Sequence, residues 1–568
     1  MITQFKFYAF IGLLLVTFLN TNASAFEPTT PEETAVYNAR LIPSPNSVQF
    51  GRNVVVFNKN LRCELILPQS QQELDNCNEN GSELKSFISD YCGIELAFSM
   101  ETFESYLDNL DLDADVPIQA LDFIKNLKSD SEFFEIKGSY KIVALADQKL
   151  SDDTSPEEVI MARDTSSGLL LIAASDLEGV KNAFKTLLQL SETFGVTDSI
   201  QTSARFIPEL LLEDSPVLSF RGIHLCWFPE TDPSRIEQAI RIAAFYKFNY
   251  AVIEFWGTFP FESNPNLYWQ EFHTKKEEVR RLVQIGKREG ITLIPQMNLF
   301  GHATGARVSV GKHVLLDFNP DMEPLFEPDG WTWNILNPST RKLLTECVLE
   351  LYETFDSPEF FHVGFDEAYS AGSSFLARRK GNYVEALSDW LTYFHDLLKE
   401  KNCRILMWHD MLIEPKEFQG YVSGGNQKTR GLIDLIPKDI IICDWQYGDP
   451  KVEETWPTST YFQEKGFDFI CCPWQNVKGI KSLSKNVIQK KGVGVLCTTW
   501  HTFYGATMRN ILITGANSTW GSDYRGSSSE AIYAFNRHLR QASRNVQNKN
   551  YRTNGLNDLQ VHKETVGP

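Results

Sequence analysis

The sequence contains none of the short motifs that mark common cofactor sites. No GxGxxG or GxxxxGKS/T segment follows a strand-like run, so a nucleotide-binding α/β fold has no support. There is also no CxxC pair, no HExxH segment and no Cys/His spacing of a zinc site. We therefore expect neither a metal nor an organic cofactor.

Positive charge is scarce as well. The chain has 54 Lys and Arg residues against 73 Asp and Glu residues, which gives a formal net charge of -19. Such an acidic surface repels phosphate backbones, so we expect no nucleic acid among the partners.

Long apolar segments are missing beyond the amino terminus. Residues 7–19 form an apolar stretch of about 13 residues behind Lys6, too short to span a bilayer comfortably, and Ala23–Ala25 has the small-x-small pattern of a cleavage site. Residues 1–25 are therefore predicted to be a signal peptide, with export to the periplasm or the extracellular space. An uncleaved anchor is the alternative. After cleavage we expect no membrane span.

Ten cysteines in an exported protein would permit disulfides. Three lie in the amino-terminal region, where a pair among them is open: Cys63, Cys77 and Cys92. Five others lie in apolar runs that are typical of buried strands, where free cysteine acts as a small hydrophobe: Cys226, Cys443, Cys471, Cys472 and Cys497.

The chain of 568 residues, 42% of them hydrophobic, predicts two structured domains. Residues 26–210 mix short strands with helices such as Leu177–Phe194, which predicts an α+β domain. Residues 215–545 have a different rhythm, and residues 546–568 form a polar tail.

In the second domain, eight apolar strand-like runs alternate with amphipathic helical segments. The runs are apolar on both faces, which is typical of a buried parallel sheet, and eight of them predict a (β/α)8 barrel. An open doubly wound sheet is the structural alternative. The predicted strands are Phe220–Trp227, Tyr250–Phe255, Thr292–Met297, Phe360–Gly364, Arg404–Trp408, Ile440–Trp445, Asp468–Cys472 and Gly494–Trp500.

Polar and aromatic residues close these runs, at the end where barrels carry their active sites. Asp366 and Glu367 follow the fourth run as adjacent carboxylates. Two such groups in a buried pocket push their pKa values apart, so that one acts as an acid and the other stays ionised. Five strand-end tryptophans indicate a pocket for the apolar faces of a sugar: Trp256, Trp408, Trp445, Trp474 and Trp500.

Within this pattern, His362–Glu367 (HVGFDE) resembles the His-x-Gly-Gly-Asp-Glu motif of glycoside hydrolase family 20, the β-N-acetylhexosaminidases. Four further segments resemble parts of the same family: Leu41–Pro45, Gly179–Leu190, Ser219–Gly222 and Ile294–His302. Phe365 stands where the motif has its second Gly, and Cys226, Asn298 and Phe300 also depart from the family pattern. Several of these features, together with Phe259–Phe261 and Trp408–Leu412, resemble the divergent hexosaminidase D branch.

The resemblance implies an exo-acting, retaining enzyme that removes terminal GlcNAc or GalNAc from a glycan through an oxazolinium ion, an exception to the usual glycosidase scheme. Asp366 would orient the sugar's acetamido group, and Glu367 would protonate the leaving oxygen. The resemblance and the strand-end positions give the substrate-binding candidates Arg221, His302, Trp408, Asp410, Trp445, Tyr447, Trp474 and Trp500.

Two alternatives stay open at this point. One is a secreted glycan-binding protein on an inactive hydrolase scaffold, which would fit the altered motif at Phe365. The other is a glycosidase for sugars that lack an acetamido group. The choice between GlcNAc and GalNAc and the oligomeric state are open as well.

Overall fold

The structure is a computed structural model, and it describes the chain in segments. The predicted signal peptide, Cys77 and Cys92 lie outside these segments, as does the side chain of Cys63, so the signal peptide and the disulfide stay predictions. The described residues are 28–57, 62–67, 86–87, 97–102, 141–145, 155–164, 169–193, 205–303, 313–448, 456–500, 505–544 and 546.

Contacts divide the chain into two compact units. The first contains residues 1–217 and 520–545, and the second contains residues 218–519 and 546–568. Residues 520–545 therefore group with the amino-terminal unit, whereas the sequence assigns them to the barrel. Trp520 donates its indole N–H to Asp214, and the Tyr524 hydroxyl donates to the Ala39 carbonyl, 2.7 Å away, which accounts for this grouping.

The first unit is built on one mixed sheet. Its strands pair in the order β1-β8-β5-β6-β4-β2-β3, with β7 beside β8. The pairs that involve β1, β5 or β7 are antiparallel, and β2 is parallel to β3 and β4. The strands are β1 (Ser47–Phe57), β2 (Arg62–Leu67), β3 (Ala97–Thr102), β4 (Lys141–Leu145), β5 (Val159–Asp164), β6 (Leu169–Ala174), β7 (Glu192–Thr193) and β8 (Arg205–Asp214).

Three helices of this unit begin with side-chain caps. In α1 (Pro31–Asn38) and in the carboxy-terminal helix Ser528–Ala542, the cap is a reciprocal capping box. In α2 (Leu177–Leu190), Asp176 accepts a bond from the backbone N–H of Gly179, and the apolar face is buried. The predicted α+β domain is confirmed, with α2 ending four residues before the predicted Phe194.

The second unit is a closed barrel of eight parallel strands, in the order β9 to β16, with β16 pairing back to β9. All eight predicted runs are strands, so the (β/α)8 prediction is confirmed over the open sheet. The strands are β9 (Phe220–Trp227), β10 (Tyr250–Phe255), β11 (Thr292–Gln296), β12 (Phe360–His362), β13 (Arg404–Trp408), β14 (Ile441–Trp445), β15 (Phe469–Cys472) and β16 (Gly494–Thr498).

Helices follow the strands along the chain. The helix Lys276–Glu289 is followed by Gly290, whose φ of 74° is the left-handed conformation that favours glycine. The α-helices described in residues 218–519, together with the one that crosses into the first unit, are α3 (Pro233–Phe245), α4 (Lys276–Glu289), α5 (Val314–Phe318), α6 (Pro338–Thr354), α7 (Phe375–Arg379), α8 (Tyr383–Lys399), α9 (Leu432–Leu435), α10 (Pro457–Glu464), α11 (Val477–Lys490) and α12 (Gly505–Trp520). The helix Ser528–Ala542 is α13.

The barrel interior is filled by alternate residues of the strands. Phe220, Val252, Ile294, Leu406 and Leu496 belong to one buried cluster. The five cysteines predicted to act as small hydrophobes are all buried, and Cys443 and Cys472 lie in this cluster. Among the described helices, none is both long and apolar enough to span a membrane.

Candidate active site

The turn after β12 presents two adjacent carboxylates at the carboxyl end of the barrel. Gly364, Phe365 and Glu367 all have positive φ, at 63°, 87° and 49°. A Cβ at Gly301 would lie 1.8 Å from the Asp366 carbonyl oxygen, so the β11 turn approaches this turn as closely as glycine allows. The two turns therefore fix each other and the carboxylates between them.

Phe365 departs from the family motif, and the structure shows what accompanies the change. Its side chain is buried and packs on Phe300, with ring centres 4.8 Å apart. Phe300 is itself one of the departures in the third-strand motif. The two altered positions therefore contact each other through their rings.

His302 lies between the two carboxylates. Its Nε2 is 3.1 Å from Glu367 Oε2 and 3.4 Å from Asp366 Oδ2. The Asp366 side chain is 5% exposed and the Glu367 side chain 33% exposed, so only Glu367 reaches towards solvent. The predicted grouping of these three residues is found.

The three groups differ in their affinity for protons. Burial raises the pKa of Asp366 well above its usual range, and nearby carboxylates reinforce this against the charge of His302. Burial alone would lower the pKa of His302, but Asp366 and Glu367 outweigh it and raise the pKa to about 9. Burial would raise the pKa of Glu367, yet the hydrogen bond and charge of His302 lower it.

In the free protein, protons therefore favour Asp366 and His302 over Glu367. The implied roles, with an acidic Glu367 beside an ionised Asp366, require the reverse order. The physical reason is that Glu367 has the closer contact with the imidazole, whereas Asp366 is the more deeply buried.

The peptide groups of Glu367 are held on both sides. Its N–H donates to Asp410 Oδ2 at 2.9 Å, and its carbonyl accepts from the indole N–H of Trp331 at 2.8 Å. Asp410 is buried, and burial raises its pKa. Asp410 thus lies at the site as predicted, where it contacts the backbone of Glu367.

A second buried carboxylate, Glu254 on β10, lies at the base of the site. Its oxygens accept from Asn298 Nδ2 at 2.7 Å and from Cys226 Sγ at 3.3 Å, and His224 Nε2 is 3.2 Å away. Burial would raise the pKa of Glu254, but His224, His302 and Asn298 lower it to about 2. Cys226 and Asn298, two departures from the family pattern, are thus both partners of this carboxylate.

His224, Cys226 and Glu254 also form a group whose polar atoms could surround a metal ion, and in the described part of the chain it is the one such group, with ligand atoms within 4.8 Å of one another. Burial raises the pKa of the Cys226 thiol well above its usual range, so metal binding would have to displace its proton. The contacts present already form a hydrogen-bonded network around Glu254.

The predicted aromatic residues come together beside the carboxylates. Trp408 and Trp500 have ring centres 5.6 Å apart, Trp445 stacks on Tyr447 at 5.0 Å, and Tyr447 contacts Trp474 at 5.3 Å. Tyr447 also lies 6.4 Å from Trp500, which closes the wall. Trp256 is the exception among the strand-end tryptophans, since it contacts His302 at 5.4 Å instead.

Several buried polar atoms in this region have no hydrogen-bond partner within the described residues. They are Asp366 Oδ1, Asp410 Oδ1, Trp408 Nε1 and Trp445 Nε1. Buried polar groups are normally paired, so unpaired donors and acceptors that gather in one place indicate a site for a polar ligand.

Arg221 is not part of this site. Its Nε donates to the Lys247 carbonyl and its Nη1 to the Leu218 carbonyl, each at 2.9 Å. Both carbonyls precede the strands β10 and β9, so the guanidinium lies at the amino end of the barrel, away from the carboxylates. Phe220 points into the barrel, so the alternation of the strand turns Arg221 outwards.

His362 accepts a bond from the backbone N–H of Gly364 at 3.0 Å and packs on Trp408 at 4.2 Å, as expected of a structural histidine.

Two further residues at the site have no place in the sequence-based prediction. Glu254 closes the second strand and could have been found by that position. Trp331 belongs to a loop and carries no such signal.

Comparisons with known proteins agree with the barrel fold. Residues 260–514 match the family model for the glycosyl hydrolase family 20 catalytic domain. The chain carries a glycosyl hydrolase family 20 catalytic domain.

Sequence relatives of this family 20 chain are distant. It is 24% identical over 294 residues to a chitooligosaccharidolytic β-N-acetylglucosaminidase of Bombyx mori, covering 47% of this chain and 48% of that protein. It is 26% identical over 320 residues to a β-hexosaminidase of Vibrio furnissii, covering 48% of this chain and 46% of that protein. The family 20 chain thus spans about half the length of these relatives.

Solved structures share its fold over nearly the whole chain. A Flavobacterium johnsoniae chitobiase aligns with a TM-score of 0.58 at 15% identity, covering 90% of this chain and 73% of that one. A family 20 β-N-acetylhexosaminidase of Streptomyces coelicolor aligns with a TM-score of 0.57 at 13% identity, covering 91% of this chain and 97% of that one. At these identities the likeness shows that the family 20 fold is shared.

Proposed function

We propose that this protein is an exo-acting, retaining β-N-acetylhexosaminidase that releases terminal GlcNAc or GalNAc from glycans. The observation that carries the proposal is the convergence of Asp366, Glu367 and His302 beside an aromatic wall with unpaired buried polar atoms. The names of the relatives, β-N-acetylglucosaminidase and β-hexosaminidase, support the same activity.

The aromatic wall suits an N-acetylated sugar. Indole and phenol rings offer flat apolar surface to the C–H faces of a sugar and to an acetamido methyl group. The unpaired indole N–H groups of Trp408 and Trp445 can donate to sugar oxygens, and Asp366 Oδ1 can accept from the acetamido N–H. Arg221 takes no part in this recognition.

The chemistry we propose uses the acetamido group as the nucleophile. Its oxygen forms a bond to the anomeric carbon while the glycosidic C–O bond breaks, and Glu367 gives its proton to the leaving oxygen. Asp366 accepts the acetamido N–H bond and stabilises the positive charge of the oxazolinium ion. Glu367 then takes a proton from water, which attacks the anomeric carbon and regenerates the acetamido group with retained configuration.

The proton order of the free protein must change when substrate binds. An acetamido N–H that donates to Asp366 favours the charged carboxylate and lowers its pKa, and the growing positive charge has the same effect. His302 Nε2 lies near both carboxylates and can give its proton to Glu367 while it receives one from Asp366. The number of bound protons stays constant, and Glu367 becomes the acid.

A two-part experiment tests the proposal. An aryl N-acetyl-β-D-glucosaminide and its galactosaminide counterpart are incubated with the protein, and the anomer released first is read by proton NMR. We expect turnover with the β-anomer as initial product. Release of the α-anomer would contradict retention, and binding without turnover would indicate a glycan-binding protein.

A thiazoline analogue of the oxazoline separates the remaining alternative. If the acetamido group is the nucleophile, this analogue inhibits far more tightly than GlcNAc does, because it mimics the intermediate. Turnover of an aryl β-glucoside without inhibition by the thiazoline would indicate a glycosidase for sugars that lack an acetamido group.

We also propose that the protein is exported, as the pattern of residues 1–25 suggests. Fractionation of cells that express the full chain, with sequencing of the mature amino terminus, tests this. A mature chain starting near Phe26 outside the cytoplasm is expected, and a retained intact amino terminus would contradict it.

A further inference from the structure

Trp331 contacts both members of the His302–Glu367 pair. Its indole N–H donates to the Glu367 carbonyl at 2.8 Å, and its ring centre lies 4.3 Å from that of His302. Its own carbonyl accepts from the N–H of Ala303, directly after His302. The residue is 8% exposed, so these contacts are shielded from water.

We propose that Trp331 is a positioning residue for the acid–base pair: its N–H fixes the backbone of Glu367, and its ring stabilises the protonated imidazole of His302. The proposal rests on the proposed function for its catalytic consequences, but its effect on His302 can be measured without turnover.

The Glu367 backbone needs such support. A φ of 49° is a left-handed conformation that L side chains rarely adopt, so the surrounding contacts must hold it. Asp410 accepts from the N–H of Glu367, and Trp331 donates to its carbonyl. Loss of the Trp331 bond would leave the carbonyl with the backbone N–H of Tyr369 as its remaining donor, at 2.8 Å, and would allow the carboxylate to move away from the leaving oxygen.

The imidazole of His302 is enclosed by rings on two sides. Trp331 lies at 4.3 Å and Trp256 at 5.4 Å, both within the range at which an aromatic ring stabilises a cation. The charged groups that face His302 are the carboxylates of Asp366 and Glu367 on the β12 turn and Glu254 on β10. A variant that keeps a ring but lacks the N–H shows the effect of the hydrogen bond on its own, so the contribution of the ring is the difference between that variant and one that lacks both.

Three variants separate the two roles. Trp331→Leu removes both the ring and the N–H, whereas Trp331→Phe keeps a ring and removes the N–H. Trp333→Phe is the matched control, because Trp333 lies in the same loop and donates its indole N–H to the Asn298 carbonyl at 2.9 Å. Its ring stacks on Phe326, with ring centres 4.6 Å apart, whereas the described rings that contact His302 are those of Trp331 and Trp256.

The first readout is the pKa of His302, which is measured by NMR titration of histidine-labelled protein. The His302 signal is assigned with a His302→Gln variant. We expect Trp331→Leu to lower this pKa by about one unit, because a desolvated cation–ring contact is lost. Trp331→Phe should stay within about 0.3 units of wild type, since a ring remains. Trp333→Phe should leave the His302 pKa unchanged.

The second readout is the pH dependence of kcat and of kcat/KM. Trp331→Phe should lower kcat about tenfold with little change in KM, because the Glu367 carbonyl loses its side-chain donor and keeps only the Tyr369 N–H. Trp331→Leu should lower kcat further, and it should move the alkaline limb of kcat/KM, which reports the free protein, by the same amount as the NMR pKa. A folded Trp331→Leu variant with the wild-type His302 pKa would overturn the proposal, as would equal losses in Trp331→Phe and Trp333→Phe. If wild type shows no turnover, the proposed function fails, and the titration alone decides the role of Trp331.

Discussion

Two buried clusters of charge in the barrel unit differ in how completely they are paired. Between α3 and α4, Arg241 donates to Glu237 and to Glu289, and Arg281 donates to the second oxygen of Glu237. Each carboxylate there has a guanidinium partner. Such pairing is what a buried charge needs in order to contribute to a fold rather than to destabilise it.

The cluster at the carboxyl end of the strands is different. The imidazole of His302 contacts both Asp366 and Glu367. Asp366 Oδ1 and Asp410 Oδ1 are buried and have no hydrogen-bond partner among the described residues. This excess of acceptors destabilises the free protein but suits a ligand that brings an N–H group and a growing positive charge. The comparison indicates that the first cluster serves stability and the second serves chemistry.

The largest effect is expected from the site carboxylates. Asp366→Asn and Glu367→Gln should each lower kcat about a hundredfold or more, because general acid catalysis alone contributes about 10²–10⁴-fold. Asn resembles the protonated Asp366 carboxyl, so Asp366→Asn should unfold at the wild-type denaturant concentration, whereas Glu367→Gln loses the ion pair with His302 and should unfold at a slightly lower one. Steady-state kinetics on an aryl N-acetylhexosaminide and urea unfolding check this. Near wild-type kcat in both folded variants would contradict the assignment.

The paired cluster should respond in the opposite way. Arg241→Met removes one guanidinium from two buried carboxylates, Glu237 and Glu289, which should lower the free energy of unfolding by about 3–5 kcal/mol. The kcat per folded molecule should stay at the wild-type value. Urea unfolding together with active-site titration measures both. A large loss of kcat at unchanged stability would erase the distinction between the clusters.

The His302 contact should appear in the pH profile. Its pKa is raised to about 9, so the imidazolium persists up to that pH and loses its proton above it. Wild-type kcat/KM should therefore fall on the alkaline side near pH 9. In His302→Gln, Glu367 must hold its proton alone, and the alkaline limb should move to lower pH by about two units. An unchanged alkaline limb in this variant would show that the imidazole does not control the acid.

The smallest effect is expected at Arg221. Its guanidinium bonds to carbonyls at the amino end of the barrel, so Arg221→Lys should change KM by less than about twofold. The melting temperature of this variant should fall slightly, because the lysine side chain cannot make both of the hydrogen bonds that Arg221 makes to the Lys247 and Leu218 carbonyls. Inhibition by GlcNAc provides an independent check. A tenfold rise in both KM and the inhibition constant would place Arg221 in the sugar site after all.

The sequence predicts the barrel well because its signal is repeated. Eight apolar runs recur with helices between them, and an error of one or two residues at a strand end, as at Gly364 or Trp500, leaves the architecture unchanged. The carboxy-terminal boundary lacks such a signal. Residues 520–545 join the first unit through contacts such as Trp520 with Asp214, which are 306 residues apart and leave no local pattern.

The site likewise has residues that the sequence predicts and features that it does not. Asp366, Glu367, His302 and the aromatic wall follow from strand-end position and motif, and the structure brings them together. Arg221 was misplaced because alternation along β9 decides which way a side chain points, and the motif alone does not encode it. The proton order was also beyond the sequence, since it depends on the burial of Asp366 and on the single imidazole that both carboxylates contact.

The central claim is that the substrate's acetamido oxygen is the nucleophile in the Asp366–Glu367 site. It is tested most directly with four aryl glucosaminides whose N-acyl methyl group carries zero, one, two or three fluorine atoms. Fluorine withdraws electrons and weakens the acyl oxygen as a nucleophile, so kcat/KM should fall steadily along the series. A rate that does not change with fluorination would show that the acetamido group takes no part in bond formation and would contradict the account.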